Sequence, residues 1–483
     1  LRIYIADLTH TYVTLANGAF PLGASYIASF AKKMLGEEID ITLFKYPSDL
    51  NEKIENEEPP DVFMFANYYW NTSLGCAFAK EIKKINPNTL VVSGGPNIPK
   101  ENHRQKEFLE RNPFIDFYIL NEAEIAVAEL LSRYISLDCC IESLKKSMVK
   151  QSVSIYNGEL MVGELIERIG SKNSEYTLDD IPSPYLNGML DQFFDNALSP
   201  FLQTNRGCPF ACTFCHEGED YYSSVAMRSV GMVKKELEYI AQRMVENSPD
   251  MPRIEIADSN FAMFKQDLEI TEYFSYLQGE YGWPKFIRCT TGKNKPSQII
   301  EAVGKVARDS LVITSSMQST NVETLKEVKR SNISLDGYKK VQADIQDKGL
   351  RSMADLILGL PHETIESHFE AMFSLIDSGV QEFTSFQAML LKSTELEEKT
   401  SIDKYGLVGK MRVLPRGLGK YRINNKDVNI AEVETIVVST DTLSFDDYLS
   451  SRALHLIAGI YHNSGVFDIV DYVLKKNNVS KSK

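Results

Sequence analysis

The chain has no run of about 18 apolar residues and no basic-then-apolar segment at its start, so nothing in it reads as a membrane span or a secretory signal. Leu1 is not an initiator methionine, which points to a chain trimmed at that end. Cysteine is scarce, seven in 483 residues, and three of the seven fall within one stretch of eight. That density argues against a disulfide scaffold and for a reducing compartment, the cytoplasm. Basic residues are in deficit: the formal net charge is −14, which argues against a nucleic-acid partner, because phosphate binding relies on clustered Lys and Arg. The pairs Lys32-Lys33, Lys83-Lys84 and Lys145-Lys146 read as solvated helix faces. What is present is ordinary for a soluble globular chain, 43% hydrophobic and 24% charged. The length suggests about three domains of roughly 150 residues.

The informative stretch is Cys208-Pro209-Phe210-Ala211-Cys212-Thr213-Phe214-Cys215, introduced by Asn205-Arg206-Gly207. Pro209 and Gly207 favour a loop, and three thiols spaced C-x3-C-x2-C can converge on one soft metal centre. Three ligands are one short of a closed site. A structural zinc takes four, usually as two paired arms, and no second arm follows; His216 would have to complete it. Iron–sulfur clusters are also held by thiolates, and three leave one iron open to an outside ligand. Cys76, Cys139, Cys140 and Cys289 read as ordinary thiols.

This stretch resembles the signature of the radical S-adenosylmethionine (SAM) enzymes. The resemblance implies that Cys208, Cys212 and Cys215 hold a [4Fe–4S] cluster, that SAM chelates the open iron, and that Phe214 lies near the adenine.

The organisation of the rest agrees with that reading. Strand-like runs at 2–6, 39–44, 61–66, 89–93 and 117–120 alternate with helical stretches. The alternation predicts an α/β fold that opens with a doubly wound parallel sheet, whose ligands bind at the carboxyl ends of the strands. Loops following the strands carry Asn67-Tyr68-Tyr69-Trp70-Asn71, Gly94-Gly95-Pro96-Asn97 and Asn121-Glu122-Ala123-Glu124. The Gly pair would let the backbone approach a large ligand closely. With Phe20-Pro21-Leu22-Gly23, these segments resemble the Rossmann-like cobalamin-binding domain that precedes many radical SAM domains, over 1–135. The resemblance implies cobalamin contacts from Thr9, His10, Asn67, Tyr68, Tyr69, Trp70, Asn71, Gly94, Gly95, Pro96, Asn121 and Glu122. The Asp-x-His-x-x-Gly loop that supplies a lower histidine ligand elsewhere is absent: Asp7-Leu8-Thr9-His10 has neither its spacing nor its Gly.

Residues 136–195 break the alternation. Ser152–Met161 reads as a hairpin turning at Asn157-Gly158, and Ile181-Pro182-Ser183-Pro184 as an extended connector. From 196 to 400 a strand, loop and helix rhythm repeats six times, at 201–204, 253–257, 286–291, 311–315, 355–358 and 382–391, which predicts a partial (β/α)6 TIM-like barrel with ligands at its C-terminal strand ends. In the family, the second strand end meets the SAM amino group, here Asp258-Ser259-Asn260; as a bland alternative, Asp258 and Ser259 cap the next helix. Gln318-Ser319-Thr320, before Leu325-Lys326 and Arg330, resembles the family's Glu-Ser-Gly segment, with Gln318 in place of Glu. Gly359-Leu360-Pro361-His362-Glu363-Thr364 resembles its Gly-Leu-Pro-Gly-Glu-Thr pattern, with His362 in place of Gly. These resemblances imply SAM contacts from Gln318, Ser319, Gly359, Leu360 and Pro361. Residues 401–483 are expected to form a small α+β cap over substrate. No cysteine follows Cys289, so the auxiliary cluster domain of many peptide-modifying members is not expected.

The implied activity is that of a cobalamin-dependent radical SAM enzyme. It would cleave SAM reductively to a 5′-deoxyadenosyl radical and methylate an unactivated carbon of a small molecule, using an external reductant such as flavodoxin or ferredoxin. The alternatives are a non-methylating cyclisation, ring contraction or epimerisation, and a non-catalytic corrinoid- or zinc-binding module. No single catalytic side chain is singled out.

Overall fold

The computed structural model describes residues 1–314, 316–477 and 479–482. The chain divides into two compact units, and both are discontinuous in sequence. The first comprises 1–201, 391–393 and 411–434; the second comprises 202–390, 394–410 and 435–483.

The first unit is built on a seven-stranded sheet: β1 (Arg2–Ala6), β2 (Asp40–Phe44), β3 (Val62–Ala66), β4 (Leu90–Gly94), β5 (Phe117–Ile119), β6 (Ser152–Tyr156) and β7 (Glu159–Val162), in the order β2-β1-β3-β4-β5-β6-β7. The first five are parallel neighbours. Strands such as Val62-Phe63-Met64-Phe65 are apolar throughout because helices cover both faces of a doubly wound sheet. The order reverses between β1 and β3, which opens a crevice at their carboxyl ends.

The hairpin expected between domains is part of this sheet: β6 pairs antiparallel with β5, and β7 with β6. Its turn is the anticipated one, with Asn157 and Gly158 both at positive φ. The core gathers Phe63, Phe65, Phe78, Ile82 and Tyr118 around residues from far along the chain, Tyr421, Ile423 and Ile430. Those three belong to a long two-stranded ribbon, β16 (Val408–Ile423) and β17 (Lys426–Ser439). The expected cap over 401–483 is therefore not a separate body. The ribbon's outer part completes the first unit, and the residues around it belong to the second.

The second unit holds the barrel strands. They are β8 (Phe201–Leu202, whose first residue is assigned to the first unit), β11 (Arg253–Ile256), β12 (Phe286–Arg288), β13 (Ile313–Thr314), β14 (Ser352–Leu358) and β15 (Glu382–Gln387). Two short strands, β9 (Asn205–Arg206) and β10 (Ala226–Met227), pair antiparallel beside the first. The six form two three-stranded sheets, β12-β11-β8 and β13-β14-β15, joined by a bridge between Ile287 and Leu311. The result is the expected open barrel. Ser315, expected to end the fourth strand, lies outside the described residues. Helix Val230–Asn247 is capped by Ser229, whose side chain accepts the Met232 N–H. Helix Phe445–Ala458 is capped likewise by Ser444. Among the described residues, no helix is long and apolar enough to cross a membrane.

Candidate functional site

In the second unit, β9 and β10 bracket residues 207–225 and hold both ends of the cysteine loop. Within it, the Cys215 N–H donates to the Cys212 carbonyl at 3.0 Å and the Gly218 N–H to the Cys215 carbonyl at 3.0 Å. Gly218 is required by close approach, since a Cβ there would lie 2.1 Å from the Cys212 carbonyl oxygen. The Cys208 N–H also reaches Tyr222 O at 2.9 Å across the loop, and Thr213 donates to Val328 O, outside it, at 3.2 Å. The loop is thus fixed by main-chain bonds that leave the three sulfurs uncommitted to one another. Asn260 Nδ2 donates to Cys208 Sγ at 3.2 Å, and Arg330 Nη1 lies 3.9 Å from Cys212 Sγ. Burial pushes the Cys215 thiol up to about 12. All seven cysteines are free thiols.

Among the described residues, no three His, Cys, Asp or Glu side chains are gathered tightly enough for one metal ion. His216, the candidate fourth zinc ligand, instead has Nε2 3.0 Å from the Tyr222 hydroxyl. Three thiols on one pinned loop, one short of a closed mononuclear site, suit a polynuclear cluster with one corner left open.

The SAM-contact candidates sit on loops of the same unit. Phe214 packs on the apolar group of Leu360, Ala388 and Val437. Gly359, at φ 88°, lies against Val437. Gln318, also at positive φ, donates its backbone N–H to Asp355 O at 2.9 Å and accepts from Ile357 N at 2.8 Å. Its side-chain Oε1 is buried without a partner among the described residues, and so are Asp355 Oδ1 and Glu363 Oε2. Ser319 accepts from the Asn321 N–H at 3.1 Å and also bonds Glu363. Burial raises the Glu363 carboxyl to about 7. Three enclosed acceptor oxygens with nothing to accept fit a ligand rich in donors, such as ribose hydroxyls, an ammonium or an adenine amino group.

Two of the expected contact residues have protein partners in this unit. Asp258 accepts from Thr204 N at 2.8 Å, from the Thr204 hydroxyl, from Asn205 N at 3.3 Å and from Asn205 Nδ2 at 2.8 Å. Its carboxylate pins the strand that delivers the cysteine loop, so its oxygens are spent. Ser259 gives its hydroxyl to Glu217, within the cysteine loop. Sequence reasoning did not single out Asp355, Glu363 or Lys293. For Asp355 the signal was a charged residue flanked by apolar ones, Ala354 and Leu356, and for Glu363 it was its place in the Gly359–Thr364 motif.

In the first unit, the loops after β1 and β3 flank the crevice at the topological switch, as expected of the cobalamin-domain candidates. His10 is corrected: it is fully buried, with Nδ1 2.8 Å from the Tyr421 hydroxyl and Nε2 3.2 Å from Glu432 Oε1. Both ring nitrogens are taken, so it cannot serve as a metal ligand without dismantling this arrangement. Glu432 also accepts from Ser73 N at 2.9 Å and Leu74 N at 3.0 Å, at the start of helix Thr72–Ile85.

Several other polar candidates join loop to loop. Thr9 Oγ1 accepts from Asn17 N at 2.9 Å. Asn67 Nδ2 donates to Tyr118 OH at 3.0 Å, and Asn71 Nδ2 to Asp7 Oδ1 at 3.2 Å. Glu122 Oε1 accepts from Arg168 Nε at 2.7 Å, and Asn121 takes a positive φ. Gly95, at φ 127°, makes a close approach to Asn67, whose carbonyl a Cβ would meet at 2.6 Å. Tyr68 and Trp70 stack at 4.4 Å with rings 6° apart, Tyr69 meets Trp70 edge-on, and Trp70 Nε1 has no partner among the described residues.

The Radical SAM superfamily model matches residues 202–376, the span that contains the cysteine loop and five barrel strands. The chain is 30% identical over 415 residues to the cobalamin-dependent radical SAM methyltransferase TokK of Streptomyces tokunonensis, covering 84% of this chain and 57% of that protein. It is 29% identical to the 2-(S-pantetheinyl)-carbapenam-3-carboxylate methyltransferase of Streptantibioticus cattleyicolor, with the same coverage. The chain therefore spans little more than half the length of these relatives. Among solved structures, TsrM from Kitasatospora setae with cobalamin and a [4Fe–4S] cluster bound matches at TM-score 0.60 and 11% identity, over 85% of this chain and 77% of that one. OxsB with aqua-cobalamin and SAM bound matches at TM-score 0.58 and 14% identity, over 99% of this chain and 61% of that one. These two likenesses show the fold.

Proposed function

The chain belongs to the radical SAM superfamily, and on that premise we propose that it uses cobalamin as a second cofactor and methylates an unactivated carbon of a small molecule. The observation that carries the reading is the pinned loop of three thiols without a fourth ligand, beside strand ends that bury unanswered acceptors. When bound, the cluster, SAM and cobalamin supply the electron transfer, the hydrogen abstraction and the methyl group; the protein supplies placement and exclusion of water.

Cys208, Cys212 and Cys215 would hold the cluster, with Asn260 orienting the Cys208 sulfur. Phe214 and Leu360 would wall the adenine from solvent. Gln318, Asp355 and Glu363 would take the donors of SAM, each gaining the hydrogen bond it lacks. The crevice between β1 and β3 would take the corrin, with Tyr68, Tyr69 and Trp70 offering ring faces and Gly94, Gly95 and Pro96 offering backbone. An external flavodoxin or ferredoxin would deliver the electron, in the cytoplasm.

Anaerobic reconstitution of the full chain tests this. Iron, sulfide and bound cobalamin are measured first, then S-adenosylhomocysteine and 5′-deoxyadenosine by mass spectrometry. Both products are expected; 5′-deoxyadenosine alone would favour a non-methylating radical reaction. Replacing Cys208, Cys212 and Cys215 together by Ala should abolish iron and sulfide binding, and retention of both would sink the assignment.

A further inference from the structure

Lys293 belongs to none of the motifs above, yet it stands in the loop after β12, at the ligand end of the barrel. Its Nζ is enclosed and has no hydrogen-bond acceptor among the described residues. It lies 3.9 Å from the centroid of the Phe210 ring, in the cysteine loop. Burial, helped by the neighbouring Arg330 guanidinium, lowers the ammonium to about 8, against the opposite pull of Cys212 and Cys208. Withdrawing an ammonium from water without an acceptor is strongly unfavourable, and an aromatic face offsets only part of that cost. The balance calls for an anion.

A narrow cavity opens beside it, and Lys293 is among the residues that line it. Its walls are apolar, with Ile299, Ile300, Ile313, Val341 and Ile345 among them. The polar groups at the mouth are largely spent. Asn332 Nδ2 donates to Met317 O at 2.6 Å and Ser319 O at 3.0 Å, Asn332 Oδ1 accepts from Arg330 Nε at 3.0 Å, and Ser316 donates to Asp355 at 2.6 Å. Among the residues that line the cavity, the charged group is the Lys293 ammonium.

We propose that Lys293 anchors a carboxylate of the substrate and that the cavity beside it receives the substrate's aliphatic portion, so that the substrate class is a small carboxylic acid with an apolar arm. This rests on the radical SAM reading, since it places the substrate beside the cysteine loop. It assigns Lys293 to the substrate and not to the carboxylate of SAM.

The test uses the reconstituted full chain saturated with SAM and two probes, sodium hexanoate and hexanamide, followed by saturation-transfer NMR. SAM affinity is measured separately by equilibrium dialysis, with iron content matched across variants. Hexanoate should bind the wild type at least about tenfold more tightly than hexanamide. Lys293→Met should lose that preference and Lys293→Arg should keep it. Ile299→Trp, which fills the cavity and leaves the charge, should weaken both probes. Equal binding of the two probes by wild type, or undiminished hexanoate binding by Lys293→Met, overturns the proposal. So does a loss of about tenfold or more in SAM affinity in Lys293→Met, which would give the ammonium to SAM. Formation of 5′-deoxyadenosine by the wild type is scored on the same samples. Its absence would bring down the radical SAM reading while leaving the probe result to stand or fall separately.

Discussion

Single residues carry this site through what they leave unsatisfied. Glu363 is enclosed, with its carboxyl raised to about 7 from an ordinary 4.5, chiefly by burial and against the pull of Ser319 and Ser367. The folded pKa is above the unfolded one, so the fold is undisturbed by this group below about pH 4.5 and loses stability as pH rises toward 7. Glu363→Gln should therefore raise the melting temperature more at pH 8 than at pH 5, by up to about 3 kcal/mol of stability; an equal gain at both pH values would show that Glu363 does not titrate as described. Gly218→Ala should displace the cysteine loop from the Cys212 carbonyl and lower reconstituted iron, checked by iron assay. The three-thiol loop was legible because the spacing of its cysteines is local. The role of Asp258 was not, because nothing near it in sequence says that Thr204 and Asn205 would consume its oxygens.

At the scale of elements, strands and helices followed from apolar periodicity, and the Asn157-Gly158 turn from its chemistry. The partners of those elements did not. The hairpin at 152–162 alternates like a free-standing unit, and only the unpaired edge of β5 makes it part of the sheet. His10 sits in a polar loop in sequence, but it is buried by Tyr421 and Glu432, more than 400 residues away. Replacing it with Ala leaves a buried hydroxyl and carboxylate each short of a partner, at a cost of about 1–3 kcal/mol. Chemical denaturation should show that loss, while the absorption spectrum of bound cobalamin should stay as in the wild type. A changed spectrum would restore His10 as a ligand.

The whole molecule differs most from what the sequence order suggests. Domains read as consecutive segments turn out to be two interleaved units, because β16 and β17 lend their outer part to the first. Tyr421, Ile423 and Ile430 fill its core, and Glu432 receives the leading N–H groups of helix Thr72–Ile85. A fragment of residues 1–201 should accordingly lack a cooperative thermal transition, read by circular dichroism, whereas adding a peptide of residues 408–439 in trans should restore one. A sharp transition in the fragment alone would show that the ribbon is dispensable.

That borrowed ribbon also fixes a timetable for biosynthesis. The ribosome releases the amino-terminal sheet early and its finishing piece only after some 210 intervening residues, a delay on the order of twenty seconds at roughly ten residues per second. Throughout that interval the nascent sheet waits with a gap in its interior, the period in which a chaperone would have most to shield.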